Sequence, residues 1–459
     1  MDKALVSSLE TIVGKNHVIT ERERMQNYLL DETVDLIRPK PAADLVLVKP
    51  ANAQEISEVL RLANEKGVPV FPRGGGTGIV GGAIPTQDGI ILSMERMNKI
   101  QIDKENLMAV AEAGVTLESL MSSAGEAGLF FPPHPGDENA QIGGLIVTNA
   151  GGSRAIKHGV MRNHVKGLEA VLPTGEILTL GGKLHKNNVG FDLMQLIMGS
   201  EGVLAVVTRA IVRLQPKPAA TATLVIPYNS RHDALASVPM ICQSGRTPLA
   251  IEYVERDLME RTARHLGETW PAKSGDYYLI IILAESSRDQ VLSESLKIDE
   301  TCRRNRSLES LFVEQHQDQD RILRIRSNIY SSMKSETADI LDVTVPPSEL
   351  ASLMDRVEEV AAKENTHMPM YGHAADGNLH VHILRRDAAD TGYIDRLRDE
   401  VYRAALNADG VITGEHGIGK IRAPKLELYV TQKEIQLMKK IKKVFDPNNI
   451  LNPGTKILI

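Results

Sequence analysis

Six of the eleven residues in Pro72-Arg-Gly-Gly-Gly-Thr-Gly-Ile-Val-Gly-Gly82 are glycine, and no other stretch limits the possible folds of the chain so tightly. A short apolar run, Val68 to Phe71, precedes it and reads as a strand. Glycine has no Cβ, so backbone can turn through positive φ and lie flat against a ligand. Successive N–H groups in such a loop converge on an anion, and Arg73 adds a positive charge beside them. The stretch therefore predicts a loop that wraps a phosphate-bearing cofactor. A flexible surface turn is the plainer alternative, but Ile79 and Val80 inside the loop argue for burial. Gly76-x-Gly78-x-x-Gly81 also fits the dinucleotide fingerprint, which needs a helix to begin within it. Here Gly81-Gly-Ala-Ile-Pro85 follows, then a polar turn and a strand-like run from Gly89 to Ser93, so no helix fits. The phosphate is expected on loop amides rather than on a helix dipole.

A chain of 459 residues allows about two to four domains. Net charge is −6, which gives no electrostatic support for nucleic-acid binding. No apolar run reaches the roughly 18 residues that span a bilayer, and the start, Met1-Asp-Lys-Ala4, lacks the apolar core of a signal peptide. A cytoplasmic location, at most peripheral to a membrane, is the expectation. The two cysteines, Cys242 and Cys302, suit buried apolar positions better than a disulfide framework or an iron–sulfur cluster.

Leu5, Leu9, Ile12 and Val13 have helical spacing. Asp44 to Lys49 reads as a strand, and Asn52 with Glu55 forms a capping-box pattern for the helix that Gly67 ends. This βαβ unit delivers the glycine loop at a strand's C-terminal end, where α/β sheets favour ligands. A second glycine-rich block contains Pro132-Pro-His-Pro135-Gly136-Asp137, Ile142-Gly143-Gly144 and Asn149-Ala-Gly-Gly152-Ser153, followed by Lys157-His-Gly159. Gly143 and Gly144 are read as places where backbone approaches a flat ring, and Asn149 and Ser153 as polar contacts to its edges. Residues 168 to 180 read as a hairpin, Asp192 to Met198 as a short helix and Val203 to Leu214 as a strand. Gln215-Pro-Lys-Pro218 reads as a boundary. Beyond it, strands at 221–227, 277–283 and 340–345 alternate with helices at 231–238 (ended by Pro239), 289–304, 321–334 and 348–365. That pattern predicts helices on an antiparallel sheet.

Arg73-Gly-Gly-Gly-Thr-Gly78, Pro135-Gly136, Ile142-Gly-Gly144, Asn149-Ala-Gly-Gly152 and Gly199-Ser-Glu-Gly202 resemble, in order and spacing, the FAD-binding half of the vanillyl-alcohol oxidase/PCMH flavoproteins. The resemblance covers about residues 40 to 215. It implies that the first loop holds the pyrophosphate and that later segments hold the isoalloxazine and adenine. The cofactor-binding residues it implies are Pro72, Arg73, Gly74, Gly75, Gly76, Thr77, Gly78, Gly81, Pro135, Gly136, Gly143, Gly144, Asn149, Gly152, Ser153, Gly159, Glu201, Gly202, Val206 and Asn452. Members that attach FAD covalently use a His or Cys in the first loop. This loop has neither, so the FAD is expected to be non-covalent.

In the second half, Tyr371-Gly-His373-Ala-Ala-Asp-Gly-Asn-Leu-His380-Val-His382 reads as a strand, a turn and a strand. The hairpin folds His373 back towards His380, and alternation points His380 and His382 to one face. Thr413-Gly-Glu415-His416-Gly-Ile-Gly-Lys420 adds a carboxylate and a titratable ring between glycines. His373, His380 and Glu415 are read as ligands of one divalent metal. Two nitrogens and an oxygen suit Zn²⁺, Fe²⁺ or Mn²⁺.

These segments, with Phe445 to Gly454 at the end, resemble the FAD-linked D-2-hydroxyacid dehydrogenases, among them D-lactate, glycolate and D-2-hydroxyglutarate dehydrogenases. Ala375 replaces the family's usual glycine. The resemblance implies oxidation of a D-2-hydroxy acid to the 2-oxo acid, with the metal, Zn first, on the substrate oxygens. His416 is the implied base on the hydroxyl proton, and hydride passes from Cα to flavin N5. Arg324 aligns with the family's substrate-binding arginine, with Arg326 competing for that role. Ile340 stands where relatives acting on D-2-hydroxyglutarate carry a lysine, which favours D-lactate, glycolate or another monoacid. Electrons are expected to pass to an electron-transferring flavoprotein, a quinone or an iron–sulfur partner, and a homodimer is possible for such a chain. The competing readings are a flavin-binding non-catalytic subunit and a D-2-hydroxyglutarate dehydrogenase. The expected fold is α+β, with a PCMH-type FAD-binding domain of two subdomains over 1–215. An α+β substrate cap follows over 216–405, and a short helical segment over 406–459 returns to the flavin.

Overall fold

The computed structural model describes residues 1–386 and 391–459. They divide into two compact units. The first contains 1–150, 160–217 and 415–459; the second contains 151–159 and 218–414. The C-terminal stretch is thus part of the first unit. The second unit runs on to Gly414, past position 405, which lies inside the helix Gly392–Asn407.

The first unit has two sheets. In the four-stranded one, Val18–Ile19, Leu45–Val48, Gly89–Ser93 and Val70–Arg73 lie in that order. The last three strands are parallel. The helix Ala53–Lys66 makes the crossover, burying Ile56, Val59, Leu60 and Ala63. Asn52 Oδ1 accepts the Glu55 amide at 2.9 Å. Glu55 reaches back one residue further than the expected box, accepting the Ala51 amide at 2.8 Å. The chain's end extends this sheet. The Val70 amide donates to the Ile450 carbonyl, and the Asn452 amide to that of Val70, each at 2.8 Å. The helix Gln432–Phe445, which leads there, has a capping box from Thr431 and Glu434.

The five-stranded sheet is antiparallel: Ile100–Asp103, Met108–Glu112, Val206–Arg213, Val165–Val171 and Ile177–Gly181. Its last two strands form the expected hairpin. The helices Leu117–Glu126 and Ile142–Thr148 pack into its core through Leu117, Leu120, Ile142, Leu145 and Ile146.

The second unit is a seven-stranded antiparallel sheet. Its order is Leu311–Val313, Ala220–Tyr228, Tyr277–Glu285, Ala250–Glu255, Met370–His373, Asn378–Leu384 and Thr337–Thr344. Helices cover it, as expected for an α+β cap. Two details differ from expectation. The helix at 231 does not stop at Pro239 but runs to Gln243. The lost hydrogen bond and ring clash cost about 3 kcal/mol. Full burial of Val238 and Ile241, at about 1.5–3 kcal/mol each, offsets it. The helix expected over 321–334 begins earlier and breaks, as His316–Ser327 and Ile329–Met333. Of the two free cysteines, Cys302 is buried and Cys242 only half-buried.

Candidate active site

The amides from Gly74 to Val80 make no hydrogen bond to protein among the described residues. Gly78 and Gly82 have nothing within 4 Å where a Cβ would stand. A run of unclaimed donors with open space beside it fits a cofactor's phosphate. Gly76 is required twice over: its φ is +73°, and a Cβ would meet the Arg73 guanidinium. Arg73 itself is buried, donates to the Asn27 carbonyl at 2.7 Å and lies 5.8 Å from the Tyr28 ring centre. The guanidinium therefore props the loop from behind.

The second glycine block is partly structural. Gly143 sits in the first turn of Ile142–Thr148, where a Cβ would stand 2.8 Å from that of Ala113. A side chain there would not fit against Ala113, while a Cβ on Gly144 would stand in open space. Asn149 caps this helix in the left-handed region, and its Oδ1 accepts the Arg162 amide at 3.0 Å. Pro135 and Gly136 lie in the loop before it, and Val206 is a buried strand residue. Gly152, Ser153 and Gly159 fall in the short segment grouped with the second unit.

Glu201, Gly202 and Asn452 meet at a buried cluster. The Asn452 side chain donates to the carbonyls of Gly82 (3.2 Å) and Glu201 (3.0 Å). Lys420, which the sequence reading assigns no role, gives its three protons to Gly82 O (3.2 Å), Asn452 Oδ1 (2.9 Å) and Thr455 Oγ1 (2.6 Å). The glycine loop and the C-terminal segment are thus tied by one ammonium. Burial pushes that group down to about 7 from 10.5, against the attraction of Asp31 and Glu201. The unfolded chain keeps this proton over an interval where the folded chain releases it. Stability therefore rises with pH above about 7, by up to about 1.4 kcal/mol per pH unit from this group. Thermal unfolding of the wild type and Lys420→Met from pH 7 to 9 checks it. The wild type gains on the variant as pH rises; parallel curves would refute the assignment.

In the second unit, Glu252, Arg326, His373 and Tyr371 form a second buried group. His373 Nδ1 lies 2.7 Å from Glu252 Oε1. Arg326 forms an ion pair with the other Glu252 oxygen, and its guanidinium lies 5.1 Å from the Tyr371 ring centre. Burial alone would raise the Glu252 carboxyl, but Arg326 and His373 outweigh it and hold it below its ordinary value. Arg324 points elsewhere: it pairs with Glu268, and its side chain is 56% exposed. The helix His316–Ser327 puts the two arginines on different faces, so Arg324 is corrected to a surface residue and Arg326 is the inward cation.

The hairpin brings His373 and His380 edge to face, with ring centres 5.4 Å apart. His382 is spent internally, on Thr337 Oγ1 at 2.9 Å and on the Tyr371 hydroxyl at 3.4 Å. Asp342, directly opposite His380, places a carboxylate oxygen 3.7 Å from its Nδ1. That carboxylate also accepts Asn378 Nδ2 (2.8 Å), Thr413 Oγ1 (2.8 Å) and the Gly414 amide (3.0 Å). Asp342 thus fixes the backbone up to Gly414, the last residue before Glu415. In the first unit, Glu415 Oε1 and His416 Nε2 are 3.8 Å apart. Imidazole nitrogens and carboxylate oxygens are the donor set of a Zn, Fe or Mn site. Glu252, Asp342 and Lys420 had no motif to announce them; pairing across the sheet picks out the first two and burial the third.

Residues 45–181 match the family described as FAD binding domain, and 217–455 the family described as FAD linked oxidases, C-terminal domain. A D-lactate dehydrogenase from Archaeoglobus fulgidus is 42% identical over 93% of this chain and 94% of its own length. One from Anaerostipes hadrus is 32% identical, over 96% and 95%. Among solved structures, p-cresol methylhydroxylase with substrate bound superposes with a TM-score of 0.77 at 17% identity, covering 99% of this chain and 96% of its own. A likeness at that identity speaks for the fold alone. Taken with the unclaimed amides of the glycine loop, these matches place the chain in the FAD-linked D-2-hydroxyacid dehydrogenase family of the vanillyl-alcohol oxidase/PCMH flavoproteins.

Proposed function

We propose that this enzyme oxidises D-lactate, or failing that glycolate, to the 2-oxo acid. The observation that carries the reading is the 42% identity, over almost the full length of both chains, to a D-lactate dehydrogenase. Bound FAD, held non-covalently, supplies the two-electron acceptor, and a divalent metal, Zn first and Fe or Mn as alternatives, supplies a Lewis acid. His373, His380 and Glu415 are the proposed ligands, imidazole and carboxylate donors of the kind such a metal takes. Glu252 holds His373 by Nδ1 and so fixes the orientation of its ring. Arg326 pairs with the substrate carboxylate as a planar fork. His416 takes the hydroxyl proton on its imidazole.

The strand beside His380 and His382 supports a monoacid. Asp342 pairs with His380 and Ile340 with His382, so an apolar side chain stands at the position where the resemblance puts a lysine in relatives acting on D-2-hydroxyglutarate. We further propose that electrons leave to a separate acceptor, an electron-transferring flavoprotein, a quinone or an iron–sulfur protein. We place the enzyme in the cytoplasm, at most peripheral to a membrane, as a homodimer; among the described residues no helix is long and apolar enough to cross one.

An anaerobic visible spectrum, recorded before and after D-lactate, L-lactate, glycolate and D-2-hydroxyglutarate in turn, tests the reading. Bleaching of the oxidised flavin by D-lactate or glycolate is the expected result. Bleaching by D-2-hydroxyglutarate alone would overturn the monoacid reading. No bleaching by any acid, with metal present, would favour the non-catalytic subunit.

A further inference from the structure

Glu201 was expected to touch the cofactor, yet its carboxylate is fully engaged by protein. Oε1 accepts the Ile418 amide at 3.0 Å and Lys456 Nζ at 3.1 Å. Oε2 accepts the Gly419 amide at 2.6 Å. The residue between these amides and His416 is Gly417, with φ +84°, where a Cβ would stand only 3.0 Å from Oε1. The loop after His416 is therefore wrapped onto one carboxylate. Burial would raise that carboxyl, but Lys456 and the two amides overcome it and keep the group ionised. Glu201 itself adopts φ +56°, a conformation rare for a side-chain-bearing residue. Its amide donates to Val147 O at 2.6 Å, and its carbonyl accepts Asn452 Nδ2. Both its backbone and its side chain are thus fixed.

We propose that Glu201 is a positioning residue: it clamps Ile418 and Gly419 and thereby sets the direction in which the adjoining Glu415 and His416 are presented. The inference rests on the reading of Glu415 as a metal ligand and His416 as the proton acceptor. An anionic clamp is suited to this because a carboxylate takes two amides and an ammonium at once. A glutamine of the same size offers one acceptor oxygen and turns an NH₂ towards donors.

The test is Glu201→Gln in the holoenzyme, read three ways: FAD per protein from the visible spectrum, zinc retained after dialysis by elemental analysis, and the rate of flavin reduction at saturating substrate. FAD content should match wild type. Zinc affinity should fall about 10-fold or more and the reduction rate about 10- to 100-fold, the losses typical when a group supporting a ligand is removed. Lys456→Met, which removes one donor and keeps the carboxylate, should shift both in the same direction by less. If Glu201→Gln does not fold, that variant carries the test. Unchanged zinc and rate would overturn the proposal. Loss of FAD in step with activity would also overturn it, because Glu201 would then serve the cofactor. His416→Ala separates the two layers: a wild-type reduction rate there would defeat the reading of His416, while zinc retention in Glu201→Gln would still judge the clamp.

Discussion

His416→Ala should yield a protein as yellow as its parent whose flavin D-lactate no longer reduces at a useful rate. Removing a general base typically costs about 10²- to 10⁴-fold. The effect should lie in the reduction step rather than in cofactor binding. The Lys420 tie and Asn452 hold this region together without His416. An imidazole nitrogen carries a lone pair that can accept the hydroxyl proton. Single-turnover reduction, followed at the flavin band with saturating substrate, checks this. Zinc content must be measured on the same sample, since Glu415 is the neighbouring residue. A variant with full zinc, full FAD and a wild-type reduction rate would remove His416 from the chemistry.

The sequence pattern carried most of the architecture and the identity of the cofactor loop. The helix cap at Asn52, the hairpin at 168–180 and the Asp-Gly-Asn turn before His380 are local features, and local chemistry predicts them. What it could not carry were partners set by distant pairing. Asp342 matters because the sheet sets it opposite His380, thirty-eight residues on, and because Thr413 and Gly414 fold onto it. Glu252 lies on a strand that was not read at all, and reaches His373 only through sheet pairing. Pro239 misled because proline's local cost is visible in sequence, while the burial of Val238 and Ile241 that outweighs it is not. The close approach of Ala113 to Gly143 is likewise invisible in sequence.

The arginine pair shows the same limit and gives the sharpest discrimination. Leu323-Arg-Ile-Arg326 offers two cations two residues apart on a helix, and residues so spaced do not share a face. Only Arg326 faces Glu252 and Tyr371. Its side chain is 14% exposed, and that of Glu252 is 2%. Replacing it by methionine keeps the apolar stem but leaves Glu252 a buried carboxylate without its main counter-charge. Breaking such a pair costs about 3–5 kcal/mol of stability, and a substrate carboxylate loses its fork as well. Arg326→Met should therefore melt at lower temperature and lose about 10²- to 10³-fold in kcat/KM, at about 1.4 kcal/mol for each factor of ten. Arg326→Lys should recover stability better than kcat/KM, because it restores charge without the planar pair of donors. Arg324→Met breaks only an exposed pair with Glu268. Such pairs contribute about 0–1 kcal/mol, so both properties should stay near wild type. Flavin-reduction kinetics and melting curves on the three variants decide the matter. A large loss of kcat/KM in Arg324→Met, with Arg326→Met near wild type, would return the substrate contact to Arg324 and set aside the geometry around Glu252.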